Sequence, residues 1–273
     1  MKVSYKNRDG TVFDFSKGNI RAEAVNGVSV KREIEYEENS LGDGGFYIGE
    51  RASTRNIKLT LKVWGDYDEV RGTIADAFRE NEEGIIRFEH NNGVVRQAGC
   101  RLVAVDDDID SDTDTVIVEL LNLTPYFDSE SIKMFLLCGV VGWLEFVWEL
   151  FEDDNILSEM VTSPSVLVIN SGNKTGCVIG IDVKQSLTGL KVTRCDTGQY
   201  IKLKGEFKAD DYIVIDSSSK SITLNDENAI YRMEWGSEFF NVPHGQCRFA
   251  IDSDNGKEGM QAYLSFAERF GRA

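Results

Sequence analysis

The chain has 273 residues, an apolar fraction of 41% and only 3 prolines, a composition that fits a globular protein and excludes a disordered one. Its formal net charge of −16 argues against a protein that wraps nucleic acid, because counterion release needs clustered Lys and Arg. The length supports a sizeable core, most naturally as two domains, and no apolar run follows the first basic residues, so no signal peptide is expected.

Residues 1 to about 35 hold short alternating runs, TVFDF and NGVSVKREIEY, broken by Gly10, Gly18 and Gly27. Glu38 to Gly49 is a Gly-rich stretch, too long for a simple hairpin turn, which suggests an arm or lid. Ile57, Leu59, Leu61 and Val63 then alternate with Lys58, Thr60 and Lys62, the period of a half-buried strand. Asp66 with Glu69 reads as a capping box, Val70, Ile74, Ala77 and Phe78 recur at helical spacing, and Gly84 is a plausible stop. Ile85 to Glu89 reads as a strand, and Asn91-Asn92-Gly93 is a strong hairpin signal. Val94 to Val105 and Thr115 to Leu123 form a further strand pair, joined by the acidic loop Asp106 to Asp114, and Pro125 closes the first domain.

Met134 to Phe151 is strongly apolar, but Glu145 and Glu149 interrupt it and the remainder is too short to cross a bilayer. It reads as a buried core element or as a surface covered by another subunit. From Ser165 onward the chain is short strands at regular spacing: VLVIN, CVIGIDV, GLKVTRC, QYIKLKG, DYIVID, SITLN, IYRMEW, CRFAID and AYLSFAER. Turn residues punctuate them and helical patterns are lacking, which argues for a β-sandwich.

Chemistry-bearing motifs are scarce. Asp108, Asp110, Asp112 and Asp114 are spaced by two, with Glu119 at the twelfth position of a would-be calcium loop. Thr113 stands where that loop needs Gly, and strands flank it, so a solvated hairpin loop without calcium is expected. Cys100, Cys138, Cys177, Cys195 and Cys247 form no CxxC pair, and His90 and His244 have no ligand-spaced neighbours. Reduced, mostly buried thiols of a protein made in cytosol are the expectation, with no metal and no cofactor. No GxSxG or P-loop is present, so no catalytic residue is assigned and the chain is not expected to be an enzyme. A sugar-binding module for host-surface adhesion is the alternative reading, with Trp235, Phe239 and Phe240 as the stacking platform; aromatics at alternating strand positions are more often core.

The order of features resembles the distal tail protein family of long-tailed bacteriophages and related tail-like particles, over nearly the whole chain. The resemblance runs through VNGVSV, GDGGFYIGERAS, RNIKLTLKVWG, DEVRGTIADAF and IIRFEHNNGVVRQAGCRL. It continues in VLVINSGNKTGCVIGIDV, a strand, an Asn-x-Gly-Asn turn and a second strand, and in WGSEFFNVPHGQCRFAID, a final strand pair joined by a Pro-Gly turn around His244. It implies a mainly β protein with one or two short helices: an N-terminal ring (belt) domain over 1–128 with one helix, and a C-terminal galectin-like β-sandwich over 129–273. It further implies a homo-hexamer at the end of the tail tube, in the virion tail, assembled in the bacterial cytoplasm. The implied partners are the tail tube protein, a tail-associated lysin or hub protein, and baseplate, fibre or receptor-binding proteins, with no specific nucleic-acid binding and no membrane. The ring's channel is expected to be acidic or neutral, because the chain's charge repels a DNA backbone.

Overall fold

A computed structural model describes residues 1–106, 114–142, 158–161, 165–255 and 259–273. The protein is β-rich, with a single α-helix among the described residues. It divides into two compact units, Met1–Glu130 with Arg269–Ala273, and Ser131–Glu268.

The first unit contains β1 (Lys2–Lys6), β2 (Val12–Asp14), β3 (Ile20–Asn26), β4 (Arg32–Glu38), β5 (Gly45–Ala52) and β6 (Arg55–Val63). Helix α1 (Tyr67–Ala77), β7 (Glu83–Glu89), β8 (Val95–Asp106), β9 (Thr115–Asn122) and the start of β10 (Phe127–Gly142) follow. The ladder runs β2-β1-β7-β8-β9-β6-β3. Strand β8 is shared along its length: Val95–Arg101 pairs with β7, and Arg101–Asp106 pairs with β9 across a bulge after Leu102. Such a bulge bends a strand and re-aims its side chains.

The alternation in β6 is realised as expected, with Ile57, Leu59 and Leu61 fully buried and Lys58 exposed. The same alternation in β9 buries Val116, Val118 and Leu120, and β7 adds Ile86 and Phe88. Helix α1 starts at Asp66, whose carboxylate accepts from the Asp68 amide, and it buries Val70, Ile74, Ala77 and Phe78. Phe78 closes this core against Tyr5 at 4.6 Å and Phe15 at 5.6 Å between ring centroids.

Gly84 is not the helix stop. The helix ends at Ala77, and Gly84 lies inside β7, facing Tyr5. A Cβ there would sit 2.2 Å from the Tyr5 hydroxyl, so the glycine admits a buried aromatic ring instead of ending a helix. Burial raises the Tyr5 pKa to about 12. The Asn91-Asn92-Gly93 hairpin forms as expected, with the His90 amide bonded to the Val94 carbonyl and Gly93 at φ +79°.

The second unit comprises the rest of β10, β11 (Ser158–Val161), β12 (Val166–Asn170), β13 (Val178–Val183), β14 (Leu187–Arg194) and β15 (Tyr200–Phe207). It continues with β16 (Tyr212–Asp216), β17 (Ser221–Leu224), β18 (Glu227–Asn228), β19 (Gly245–Ser253) and β20 (Met260–Phe270). One sheet is ordered β18-β17-β16-β13-β20-β10-β11 and the other β12-β19-β14-β15. Their inner faces share one core, with Ile179, Ile181, Ile213 and Leu264 from the first and Leu190, Val192, Ile201 and Phe249 from the second. This is the two-layer solution for strands with one apolar face each.

Two further local expectations are corrected. Ile230–Arg232 of IYRMEW is a 3-10 turn, not a strand; the Asn228 side chain caps the Ile230 amide, and Tyr231 is 77% exposed. The stretch before Gly245 is irregular, so WGSEFFNVPHG does not supply the first member of a strand pair; Val242 makes only an isolated bridge to Thr175. Residues 134–142 of the apolar segment belong to β10, and Leu137 and Cys138 enter the second core. The rest of that segment, and the acidic loop from 107 to 113, lie outside the described residues.

Candidate interaction surfaces

The Gly-rich stretch is the tip of a hairpin. Strands β4 and β5 pair only with each other, forming a separate two-stranded sheet, and Gly45 to Gly49 are strand residues instead of loop. The register sets Tyr36 opposite Tyr47 and Glu37 opposite Phe46, and Ile48 is the extra residue of a bulge. Strand alternation puts Ile34, Tyr36 and Tyr47 on one face and Glu33, Glu35, Glu37 and Phe46 on the other. Every residue of β4 is exposed, and Tyr36, Phe46 and Tyr47 are each about 60% exposed or more. An isolated hairpin is marginal in water, and aromatics left in solvent on one are an unused contact surface.

The root of this arm is fixed from several sides within the first unit. Gly27, at φ +77°, lies so close to β6 that a Cβ would fall 1.9 Å from the Asn56 carbonyl oxygen. The Val30 amide donates to the Gly271 carbonyl at 2.6 Å and the Ala273 amide to the Val28 carbonyl at 3.1 Å, so the last residues form a short strand-like edge beside the root. Arg96 holds that edge by donating to the Arg272 carbonyl at 2.7 Å and stacking 4.2 Å from the Phe270 ring. Arg55 is buried, donates to the Val28 and Pro125 carbonyls and lies 4.0 Å over the Phe127 ring. Burial lowers its pKa, and the guanidinium fork serves two carbonyls that a lysine could not satisfy together.

A groove of about 370 Å³ lies between α1 and the far half of β8. Ile74, Phe78, Leu102 and Val105 form its apolar floor, with Arg71 and Arg79 at its rim beside one acid, Glu80. Arg79 also pairs with Asp9. A second groove, of about 360 Å³, is bounded by Phe13, Phe15 and Val70, with Asp14, Lys17 and Glu69 as its charged residues.

In the second unit the turn from β12 to β13 carries the chain from one sheet to the other. Asn170 at its start is fully buried and donates to the Asn173 and Pro243 carbonyls, both at 2.9 Å, while accepting from the Gly172 amide. His244 Nδ1 is 2.8 Å from the Gly172 oxygen, and Glu268 accepts from Ser171 and pairs with Lys133. The residues are bound up in holding the turn. Trp235, Phe239 and Phe240 are not brought together as a platform: Phe240 is buried at 5.5 Å from Phe249, Phe239 packs against the core, and Trp235 alone stands 95% exposed.

Among the described residues no cluster of three or more His, Cys, Asp or Glu is placed to hold a metal. No helix among them is long and apolar enough to cross a membrane. All five cysteines are free thiols and only Cys195 is exposed. Burial raises Cys100 and Cys177 to about 12 and Cys247 to about 11. A thiol reagent at pH 8 is therefore expected to modify a single cysteine of the native chain rapidly, and all five in denaturant. Fast modification of a second thiol in the native state would contradict the burial of the other four.

The described residues thus form two compact β-rich units, the first of which carries an exposed hairpin. Residues 170–270 match the family model for the siphovirus-type tail component, C-terminal domain. The fold matches the crystal structure of phage SPP1 Dit (gp 19.1), described as a paradigm of the hub adsorption apparatus in phages infecting Gram-positive bacteria. That match has a TM-score of 0.72 at 15% identity, over 98% of this chain and 99% of that one. A chain of the phage P2 baseplate in its activated conformation with Ca matches at a TM-score of 0.50 and 12% identity, over 97% of this chain and 98% of that one. No curated protein shows significant sequence similarity to the chain. The resemblance to distal tail proteins is thus shown by the C-terminal domain match and by the full-length fold.

Proposed function

We propose that the chain is the distal tail hub of a phage or prophage-type particle, a non-catalytic protein that closes into a homo-hexameric ring. In this reading residues 1–128 form the ring domain around the channel. Residues 129–273 form a galectin-like sandwich that holds baseplate, fibre or receptor-binding proteins, while the ring contacts the tail tube and a tail-associated lysin or hub protein. The particle is assembled in the bacterial cytoplasm and the protein resides in the virion tail. The full-length fold match carries the proposal, since it spans both units and nearly all of the matched chain. The arm supports it, because a ring of identical copies needs two different complementary faces, and an exposed aromatic hairpin is one such face.

The carbohydrate-module reading has lost its platform, because Phe240 is 2% exposed. Native mass spectrometry with negative-stain imaging tests the ring. Six copies at −16 each repel, so moderate salt is expected to favour the ring over very low salt by screening. A chain that stays monomeric at every salt and protein concentration overturns the ring.

A further inference from the structure

We infer that the first unit holds one small anion, a halide of chloride size, between the buried side chains of Arg55 and Asn122. The site belongs to the folded chain and is independent of the ring reading.

Register places the two side chains together. Arg55 opens β6 and Asn122 closes β9, and they are direct antiparallel partners, so both project to the same, buried face. Arg55 is 5% exposed and Asn122 is fully buried. Each keeps a buried donor that meets no acceptor among the described residues, Nε of Arg55 and Nδ2 of Asn122. Turning the Asn122 amide around does not remove the second of these. Its Oδ1 accepts from the Thr124 amide at 2.8 Å and from the Thr124 hydroxyl at 2.9 Å, so the nitrogen is the end left over. Buried donors are nearly always satisfied in native proteins, and two facing ones ask for a shared acceptor from outside the chain.

Charge identifies that acceptor. The guanidinium is bonded to the Val28 and Pro125 carbonyls and lies over the Phe127 ring, groups that offer partial negative charge and no unit charge. The titratable group that acts on Arg55 is the Cys100 thiol, and burial raises that thiol to about 12 and so keeps it neutral. A buried cation without a counter-ion is strongly unfavourable. A water molecule accepts from both nitrogens but leaves the charge as it is, whereas an anion accepts from both and neutralises it. Two donors on neighbouring strands suit a monatomic ion; sulfate or phosphate brings more oxygens than the site has donors. The chain's net charge of −16 opposes anion entry, so millimolar affinity is expected.

Thermal melting in sodium chloride and in sodium gluconate, mixed at a constant ionic strength of about 0.2 M, tests the site without changing screening. Replacing gluconate by chloride is expected to raise the wild-type melting temperature by about 3 °C, the shift for a site filled by mass action to roughly tenfold its dissociation constant. Asn122→Asp keeps an oxygen for Thr124 and sets a carboxylate beside Arg55 in the halide's place. This variant is expected to melt above wild type in gluconate and to gain nothing from chloride. Crystals grown in sodium bromide are expected to show an anomalous peak in contact with both nitrogens. A wild-type melting temperature that ignores the exchange of anions overturns the site. So does a chloride gain that Asn122→Asp retains, because the halide then acts elsewhere, and so does a bromide crystal with only water between the two side chains.

Discussion

A chain in which Glu33 to Arg51 is replaced by an Asn-Gly turn is expected to melt within about 2 °C of wild type and to lose ring assembly entirely. Arg32 and Ala52 are direct register partners, so a tight turn can close the gap without moving the root. The side chains removed are nearly all exposed, and Ser53 still bonds the Lys31 carbonyl, so the body forfeits almost no burial. The assembly forfeits much more. Covering an apolar side chain contributes about 1.5–3 kcal/mol before the cost of ordering, and the arm presents Ile34, Tyr36, Phe46, Tyr47 and Ile48 for coverage. Sedimentation of the excised chain decides the matter. A ring that survives excision would mean that the bodies close the circle by themselves and that the arm serves a different neighbour.

The arm shows where sequence reading reached its limit. The period-two burial of β6 and β9, the capped helix and the Asn91-Asn92-Gly93 hairpin were legible, because each is a local pattern tied to one local structure. The stretch Glu38 to Gly49 carried the right signal, since its glycines and its length set it apart. Its strand pairing was hidden because neither face is buried, and alternation marks a strand only when one face is. Gly84 was misread for a related reason. A glycine after a helical pattern resembles a stop, whereas its cause here is the Tyr5 ring from a strand nearly eighty residues earlier. The same limit applies to Trp235, Phe239 and Phe240: adjacency in sequence did not predict that one would be solvent-facing and another sealed in the core. The groove was invisible for the strongest reason, since Arg71 and Ile74 meet Leu102 and Val105 only through the fold.

Asn170 is where a single atom change is expected to cost the fold most. Asn170→Asp is nearly isosteric, yet an ionised carboxylate has no hydrogens for the Asn173 and Pro243 carbonyls, each 2.9 Å from the amide nitrogen. Two acceptors would then face a buried charge, and a loss of roughly 3–5 kcal/mol is expected at neutral pH. The pH dependence identifies the cause. Burial and the facing carbonyls raise the folded-state pKa of the new carboxyl above its unfolded value. Its penalty is therefore full above the folded pKa and shrinks as pH falls toward the unfolded value, where the protonated acid can again donate one hydrogen bond. Asn170→Leu is the control: it also loses the bonds, keeps His244 and Glu268 as neighbours, and introduces no titrating group. The urea midpoint of the Asp variant is expected to approach that of the Leu variant, or pass it, as pH is lowered from 7.5 to 5. A constant gap between the two across that range would show that the two donated hydrogens are not what holds the turn between the sheets.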